Sequence, residues 1–401
     1  MSDFFDVVIV GAGPSGTVAA ALLLQQGFSV CIIEKQHFPR YVIGESLLPF
    51  AMDILSEADL LTPVAMAGFQ PKNGVVFTYG ERQTHFDFRY QYKHRSSVAL
   101  QVDRAHFDQI LAEEVIKKGA DVRFGQSVVD FNPNEMPVSL TIQREDKSEY
   151  RLNARFVLDA SGYFRLLPRL LGWEIETGLT QRNVYCTHIN DNITDPLYDR
   201  YKSTIAIHPE FPDIWVWLIP FANGRASVGV VGESHYFQDE RAASKVMKKF
   251  VMEIPFFARI LQNAFWENDA PFLFLSRYDS GVKQMYGDNF ALLGNAAGFL
   301  DPVFSSGVTT AIYSSKLACQ AVTRQLRGEK VDWQKDYVDA HAYGINTLRN
   351  CIDSWYDGSF QELVFSEKQS PELREALCSV FAGYAWDTEN PFIRDVHAGL
   401  I

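Results

Sequence analysis

Apolar positions along this chain switch between two periods. Val7-Val-Ile-Val10 is a continuous apolar run of strand length. The turn Gly11-Ala-Gly-Pro-Ser-Gly16 follows it, residues 17–26 have the Ala/Leu-rich composition of a helix closed by Gly27, and residues 29–33 read as a second strand. Strand, tight turn, helix and strand in that order predict the start of a parallel sheet. A helix is expected from residue 46 to about 60. Residues 69–100, rich in Phe, Tyr, His and Arg, alternate as antiparallel strands do. Helical periodicity returns over 104–118, and residues 120–124 and 155–158 read as strands. A second strand group over 182–231 contains Ile214-Trp-Val-Trp-Leu-Ile219 and Ala226-Ser-Val-Gly-Val-Val231. Helical segments and a third apolar strand over 290–293 follow, and from Trp333 onward the pattern is helical and aromatic.

These segments interleave, so the predicted class is α/β with two domains built from discontinuous pieces. Residues 1–60, 100–165 and 280–330 form a Rossmann-like domain. Residues 61–99 and 166–279 form a substrate domain around a mixed or antiparallel sheet, and 331–401 form a short helical cap over the junction. No internal repeat, low-complexity tract or Gly/Ser linker interrupts the chain.

Composition removes several functions. The 401 residues are 47% hydrophobic and 21% charged, as globular chains are, with enough length for large cores. A net charge of -12 without a sustained basic stripe argues against nucleic acid and anionic membrane surfaces as partners. Cys31, Cys186, Cys319, Cys351 and Cys378 are scattered, with no CxxC or His/Cys ligand spacing, and read as buried thiols of a reducing cytoplasm. No secretion signal or apolar run of about 20 residues is present, so a soluble cytoplasmic protein is expected. The histidines form no ligand-spaced pair. His85, His94, His188 and His208 fall in strand-like segments where hydrogen-bonded core roles are expected, and no metal is predicted.

Candidate chemistry begins at Gly11-x-Gly13-x-x-Gly16. The first glycine permits the turn, the second lets a pyrophosphate approach the backbone, and the third allows close packing of helix on strand. Glu34 ends the second strand eighteen residues beyond Gly16, where a carboxylate accepts hydrogen bonds from a ribose. Strand, glycines, helix, strand and acid agree on a dinucleotide site. No second unit of this kind is visible for a nicotinamide cofactor.

Three segments carry a resemblance to the aromatic-hydroxylase superfamily of FAD enzymes. They are Val102-Asp-Arg104-x-x-Phe107-Asp108, Leu158-Asp159-Ala-Ser-Gly162 and Gly287-Asp-Asn-x-x-Leu-x-Gly294-Asn295-Ala-Ala, and the similarity extends over most of residues 3–330. It implies FAD as cofactor, with Arg104 near the pyrophosphate and Asn295 near the ribityl chain. It also implies Ser15, Lys35, Arg40, Ser46 and Asp159 as cofactor contacts. The family usually has Asp where this chain has Asn295, which still hydrogen-bonds a hydroxyl.

Further segments resemble the flavin-dependent halogenases within that superfamily: Gly44-Glu45-Ser46, Phe69-x-x-Lys72-x-Gly74, Trp215-x-Trp217-x-Ile219-Pro220 and Phe299-x-x-Pro302-x-x-Ser305-Ser306-Gly307. Read from its residues, Lys72 sits at the edge of an aromatic, Gly-bounded loop, either holding a small oxidant or lying solvated on the surface. Trp215 and Trp217, two apart on a strand, share one face. Residues 302–307 precede a helix over 309–326 whose N-terminal amides would favour an anion; Ser305 or Ser306 capping that helix is the bland alternative. The resemblance implies that Pro302, Ser306 and Gly307 border the flavin, that the amides of Ser306 and Gly307 bind a halide, and that the tryptophans separate substrate from flavin.

The implied reaction runs through a flavin C4a-hydroperoxide to hypohalous acid, which Lys72 delivers to an electron-rich aromatic ring. Free-tryptophan halogenases carry a glutamate where this chain has Phe304, and a longer C-terminal region. A shorter cap suits a pyrrole, phenol or indole carried on another protein, with a flavin reductase or other electron donor as a further partner. The alternatives are a monooxygenase or oxidase modifying an aromatic residue of a partner protein, as in quinone-cofactor maturation, and a lipid reductase of the same superfamily.

Overall fold

Strand Phe4–Val10 lies at the centre of a sheet because its apolar run has no polar face to expose. Val7, Val8 and Ile9 are wholly buried, as parallel strands covered on both sides require. It pairs in parallel with Val30–Ile33 on one side and with Glu149–Asp159 on the other. Asp121–Arg123 and Phe290–Leu292 extend the parallel order outward. The computed structural model describes residues 4–93, 95–176, 180–237, 243–266, 272–276 and 280–400; His94 lies outside them. Helices Pro14–Gln25, Arg104–Lys117 and Gly307–Leu326 close one face of this sheet. Strand Glu149–Asp159 is long because its first half pairs antiparallel with Val138–Gln143, which with Ser127–Asn132 packs beneath the other face.

A second sheet has the strand order 272–276, 182–190, 225–233, 215–220, 202–207, 74–79 and 82–87. It is antiparallel except where Lys202–Ile207 runs beside Gly74–Tyr79. Strand Trp215–Pro220 shows how the period of two sorts its faces. Trp215, Trp217 and Ile219 pack under the C-terminal helices, whereas Val216 and Leu218 pack under helices Ala243–Glu253 and Pro255–Ile260. The C-terminal helices are Ala340–Tyr356, Ser359–Phe365, Pro371–Phe381 and Pro391–His397.

Four expectations shift. The helix expected from residue 46 spans only Pro49–Glu57, because Ser46 is extended and bridges Gln101, and Pro49 supplies the first turn. Within 69–100, strands Gly74–Tyr79 and Arg82–Asp87 join the second sheet, but Gln70–Lys72 pairs with Ala99–Gln101 in a separate small sheet. Leu61, Val64 and Phe69 then pack into the core of the parallel sheet, not the second domain to which 61–99 was assigned. Trp333 and Tyr337 likewise pack there, leaving the cap proper to begin near Ala340. Among the described residues no helix is long and apolar enough to cross a membrane, and no cluster of His, Cys, Asp or Glu could hold a metal.

Candidate active site

A cleft of about 410 Å³ runs along the C-terminal ends of the parallel strands, the usual ligand position in such sheets. Its floor is the Gly11–Gly16 turn. Gly11 has φ +100°, and a Cβ there would lie 2.6 Å from the Ala160 carbonyl oxygen; a Cβ on Gly16 would lie 1.9 Å from that of Gly11. Both therefore hold helix and strand in contact. Gly13 differs, because its Cβ would meet nothing nearer than Arg40 Nη2 at 3.6 Å, so the missing side chain leaves room for a ligand. Helix Pro14–Gln25 has no side-chain cap, which leaves its first amides available to a phosphate.

Glu34 ends the second strand with Oε2 accepting from the Ala12 amide at 2.8 Å and Oε1 from the Gln36 amide at 2.8 Å. Ser15, Lys35 and Arg40 line the cleft, and Arg40 Nε is buried without a partner. Arg104 lines it too, its guanidinium held by Asp108 at 2.8 and 3.0 Å and by the Ile43 carbonyl at 2.7 Å. On the far wall are Asn295, Gly307 and Tyr163. Burial pushes the Tyr163 phenol above its ordinary value against the pull of Arg104 and a hydrogen bond with Asn295. A cleft of this volume, open glycine, uncapped helix and orphaned guanidine N–H together fit a dinucleotide carrying a pyrophosphate.

A chamber of about 70 Å³ adjoins this cleft and shares Ile43, Gly44, Tyr163, Gly307 and Val308 with it. Trp215 and Trp217 form one wall, their ring centroids 5.8 Å apart. Trp215 Nε1 donates to Tyr356 Oη at 2.8 Å, and that hydroxyl donates to Asp301 Oδ2 at 2.8 Å, which ties the cap to the 302–307 turn. Trp217 Nε1 donates to Ser227 Oγ at 3.0 Å. Glu45 and Ser46 form another wall. Glu45 is 2% exposed and paired with His188 Nε2 at 2.5 Å.

Lys72 stands behind Ser46. It is 1% exposed, donates to Ser46 Oγ at 2.8 Å and to the Leu47 carbonyl at 3.2 Å, and has no carboxylate partner among the described residues. Burial alone lowers its pKa to about 7, so near neutrality a large share of this amine is unprotonated. The Lys72 ammonium lies 5.6 Å from the centroid of Phe88.

The structure brings Gly11, Gly13, Ser15, Glu34, Lys35, Arg40, Arg104, Asn295 and Gly307 together along one cleft. Other positions need correction. Lys72 is neither at a loop edge nor solvated; it ends the buried strand Gln70–Lys72. Ser46 does not line the cofactor cleft but the chamber, as the acceptor for Lys72, and Pro302 also faces the chamber. Gly16 does not line the cleft, and its missing side chain serves the packing of helix on strand. Asp159 is buried away from the cleft, its oxygens taken by the amides of Ser161 at 2.9 Å and Leu167 at 2.7 Å, so it shapes the turn that carries Tyr163.

Ser306 occupies the N-cap position of helix Gly307–Leu326, yet its side chain makes no cap. Its Oγ is buried without a partner, as is that of Thr309. Neither hydroxyl satisfies the helix end, which leaves the amides there to another ligand. Tyr163, Glu45 with His188, Ser203 and Tyr356 were not singled out as site residues. Each sits far in sequence from the groups it meets, and only Glu45 belongs to a recognisable motif, Gly44-Glu45-Ser46.

A family model described as FAD binding domain matches residues 5–342. The chain is 30% identical over 391 residues to a 1H-pyrrole-2-carbonyl-(peptidyl-carrier protein) chlorinase of Pseudomonas fluorescens, with 89% of this chain and 83% of that protein covered. It is 26% identical over 396 residues to the corresponding brominase of Pseudoalteromonas luteoviolacea, covering 97% and 95%. A tryptophan 2-halogenase of Chondromyces crocatus is 30% identical over 334 residues, but the match covers 80% of this chain and only 62% of that protein. Among solved structures, a flavoprotein/dehydrogenase from Cytophaga hutchinsonii superposes with a TM-score of 0.92 at 38% identity, covering 98% and 96%.

Proposed function

The chain belongs to the halogenase-like branch of the FAD-dependent aromatic-hydroxylase superfamily, and from that premise we propose that it halogenates an electron-rich aromatic group tethered to a carrier protein, through Lys72. The observation that supports this is the buried amine of Lys72, without an ion pair, behind a chamber that opens from the cofactor cleft. An apolar cavity of about 150 Å³ holds a benzene ring. At about 70 Å³ the chamber has less than half that space and suits an oxidant of two or three heavy atoms. On this reading substrate and flavin are kept apart, and the oxidant travels between them.

FAD, when bound and reduced, supplies the activation of oxygen. Gly13 and the helix amides hold its pyrophosphate, with Glu34 on the ribose and Arg40, Lys35, Arg104 and Asn295 along its length. The uncapped amides at Ser306 and Gly307 hold the halide. Trp215 and Trp217 wall the chamber off from bulk water, which would compete for the oxidant. Lys72 takes up the halogen: its unprotonated nitrogen attacks the halogen of hypohalous acid, an N–X bond forms as O–X breaks, and the departing hydroxide leaves as water with the amine proton. The ring then takes the halogen from nitrogen and loses its proton to it. A flavin reductase supplies the electrons. The relatives that modify pyrrole on a carrier protein match this chain nearly end to end, which supports a tethered substrate and the short cap.

Lys72→Ala tests the reading. Reduced FAD, oxygen and bromide are supplied with pyrrole, phenol and indole substrates, free and tethered, and products are weighed by mass spectrometry. Halogenation should fall a thousandfold or more, about 4 kcal/mol of transition-state stabilisation, while FAD remains bound. Lys72→Arg should restore little, because guanidinium keeps charge without a free amine. Products of the parent that carry oxygen and never bromine would point instead to a protein-modifying oxidase.

A further inference from the structure

We propose that Glu45, Ser46 and Ser203 form a docking point inside the chamber for neutral hypohalous acid on its way to Lys72, an assignment that rests on the function proposed above. Ser203, on strand Lys202–Ile207, is 2% exposed and its Oγ has no partner, although it lines the chamber. A buried hydroxyl left unpaired calls for a ligand or a water. Across the same small space stand Glu45 and Ser46. The remaining walls, Trp215, Trp217 and Phe299 among them, are largely apolar, so a protic molecule crossing the chamber has few places to form hydrogen bonds.

The three groups complement one ligand chemistry. Ser203 offers a hydroxyl proton to the ligand oxygen. Glu45, fixed through Oε1 by His188, presents an acceptor that rewards an O–H donor and offers nothing to a free halide, which has no proton to give. Ser46 already accepts from Lys72, which leaves its own O–H to contact the ligand on the Lys72 side. A small neutral molecule with one O–H and one oxygen lone pair is held, while the halide stays on the cofactor side.

Ser203→Val and Glu45→Gln test the site, with bromide, reduced FAD, oxygen and the scavenger monochlorodimedone as probe. In the variants, scavenged bromine per oxygen consumed should rise fivefold or more over the parent, because the oxidant is no longer retained. A ratio within twofold of the parent in both variants overturns the docking point. A crystal structure of the parent should show an ordered water bonded to Ser203 Oγ and Glu45, lost in Ser203→Ala. A dry chamber in the parent also overturns it, whether or not the protein halogenates. A parent that forms only hydrogen peroxide at any bromide concentration overturns the function, and the crystallographic comparison then still decides whether a protic site exists.

Discussion

The cofactor cleft and the chamber beside it are built from different materials. The cleft is shaped by backbone: the left-handed turn at Gly11, the bare Cα of Gly13, uncapped helix amides, and a Glu34 carboxylate held by the amides of Ala12 and Gln36. The chamber is shaped by side chains that arrive from four separated stretches: the extended segment at 43–46, Tyr163, the strands at 203–219, and the turn at 299–308. Backbone sites are specified by a few residues close in sequence and fail when those are changed. A site made of converging side chains admits substitution one group at a time, so its chemistry can be altered while the cofactor stays bound.

The largest effects should come from glycines in the cleft, and two neighbouring ones should fail differently. Gly16→Ala places a methyl 1.9 Å from the Gly11 carbonyl oxygen, against backbone that cannot move without separating helix from strand. Overpacking of this kind costs typically 1–3 kcal/mol and more where backbone is rigid, so loss of cooperative unfolding or of soluble protein is expected. Gly13→Val should fold, because the position has φ -71° and open space around its Cβ, yet lose FAD, because the side chain fills the phosphate path. Flavin absorbance after gel filtration separates the two outcomes. A Gly13→Val protein that retains FAD would place the cofactor elsewhere.

This contrast also accounts for what could be read from the sequence. The turn at 11–16 and Glu34 were legible because spacing within one βαβ unit fixes their geometry, and the tryptophan pair because strand period alone puts i and i+2 on one face. Lys72 was legible as a residue but not as a buried one. Its burial comes from the small sheet that Gln70–Lys72 makes with Ala99–Gln101, a pairing between segments whose local pattern reads equally well as one antiparallel run. Glu45 with His188, and Trp215 with Tyr356, join residues more than a hundred positions apart, and no local period encodes such contacts. Asp159 misled for a related reason: a carboxylate in a flavin-like segment looks like a ligand until the Leu167 amide, eight residues on, is found to occupy it.

The chamber side should show its effect in pH dependence. The Lys72 amine has a pKa near 10.5 in the unfolded chain and about 7 when folded, so between those values the unfolded state binds the extra proton. Stability contributed at this site therefore rises with pH from 7 towards 10.5 and is at its lowest, and flat, below 7. Lys72→Met removes the titrating group while roughly keeping the volume. Its stability advantage over the parent should be largest at pH 7 and below, at most about 5 kcal/mol from the shift and less after relaxation, and should shrink steadily towards pH 10. Urea denaturation at pH 7, 8, 9 and 10 measures it. A difference that stays constant across that range would mean that the amine is solvated in the folded protein.

The smallest effect tests whether the chamber wall is tied to the cap independently of the cleft. Tyr356 Oη accepts from Trp215 Nε1 and donates to Asp301 Oδ2, so Tyr356→Phe strands the N–H of an indole that is 1% exposed. Leaving a buried donor unsatisfied costs about 1–3 kcal/mol, and nothing in the contacts of Tyr356 reaches Gly13 or Glu34. Stability should fall by about 1–2 kcal/mol and Trp215 emission should shift, with the FAD dissociation constant unchanged within twofold. If FAD affinity falls with stability, the turn at 302–307 transmits the loss, since Asp301 also accepts from the Val303 amide at its start. The two regions would then form one cooperative unit, and substitutions in the chamber would not leave the cleft untouched.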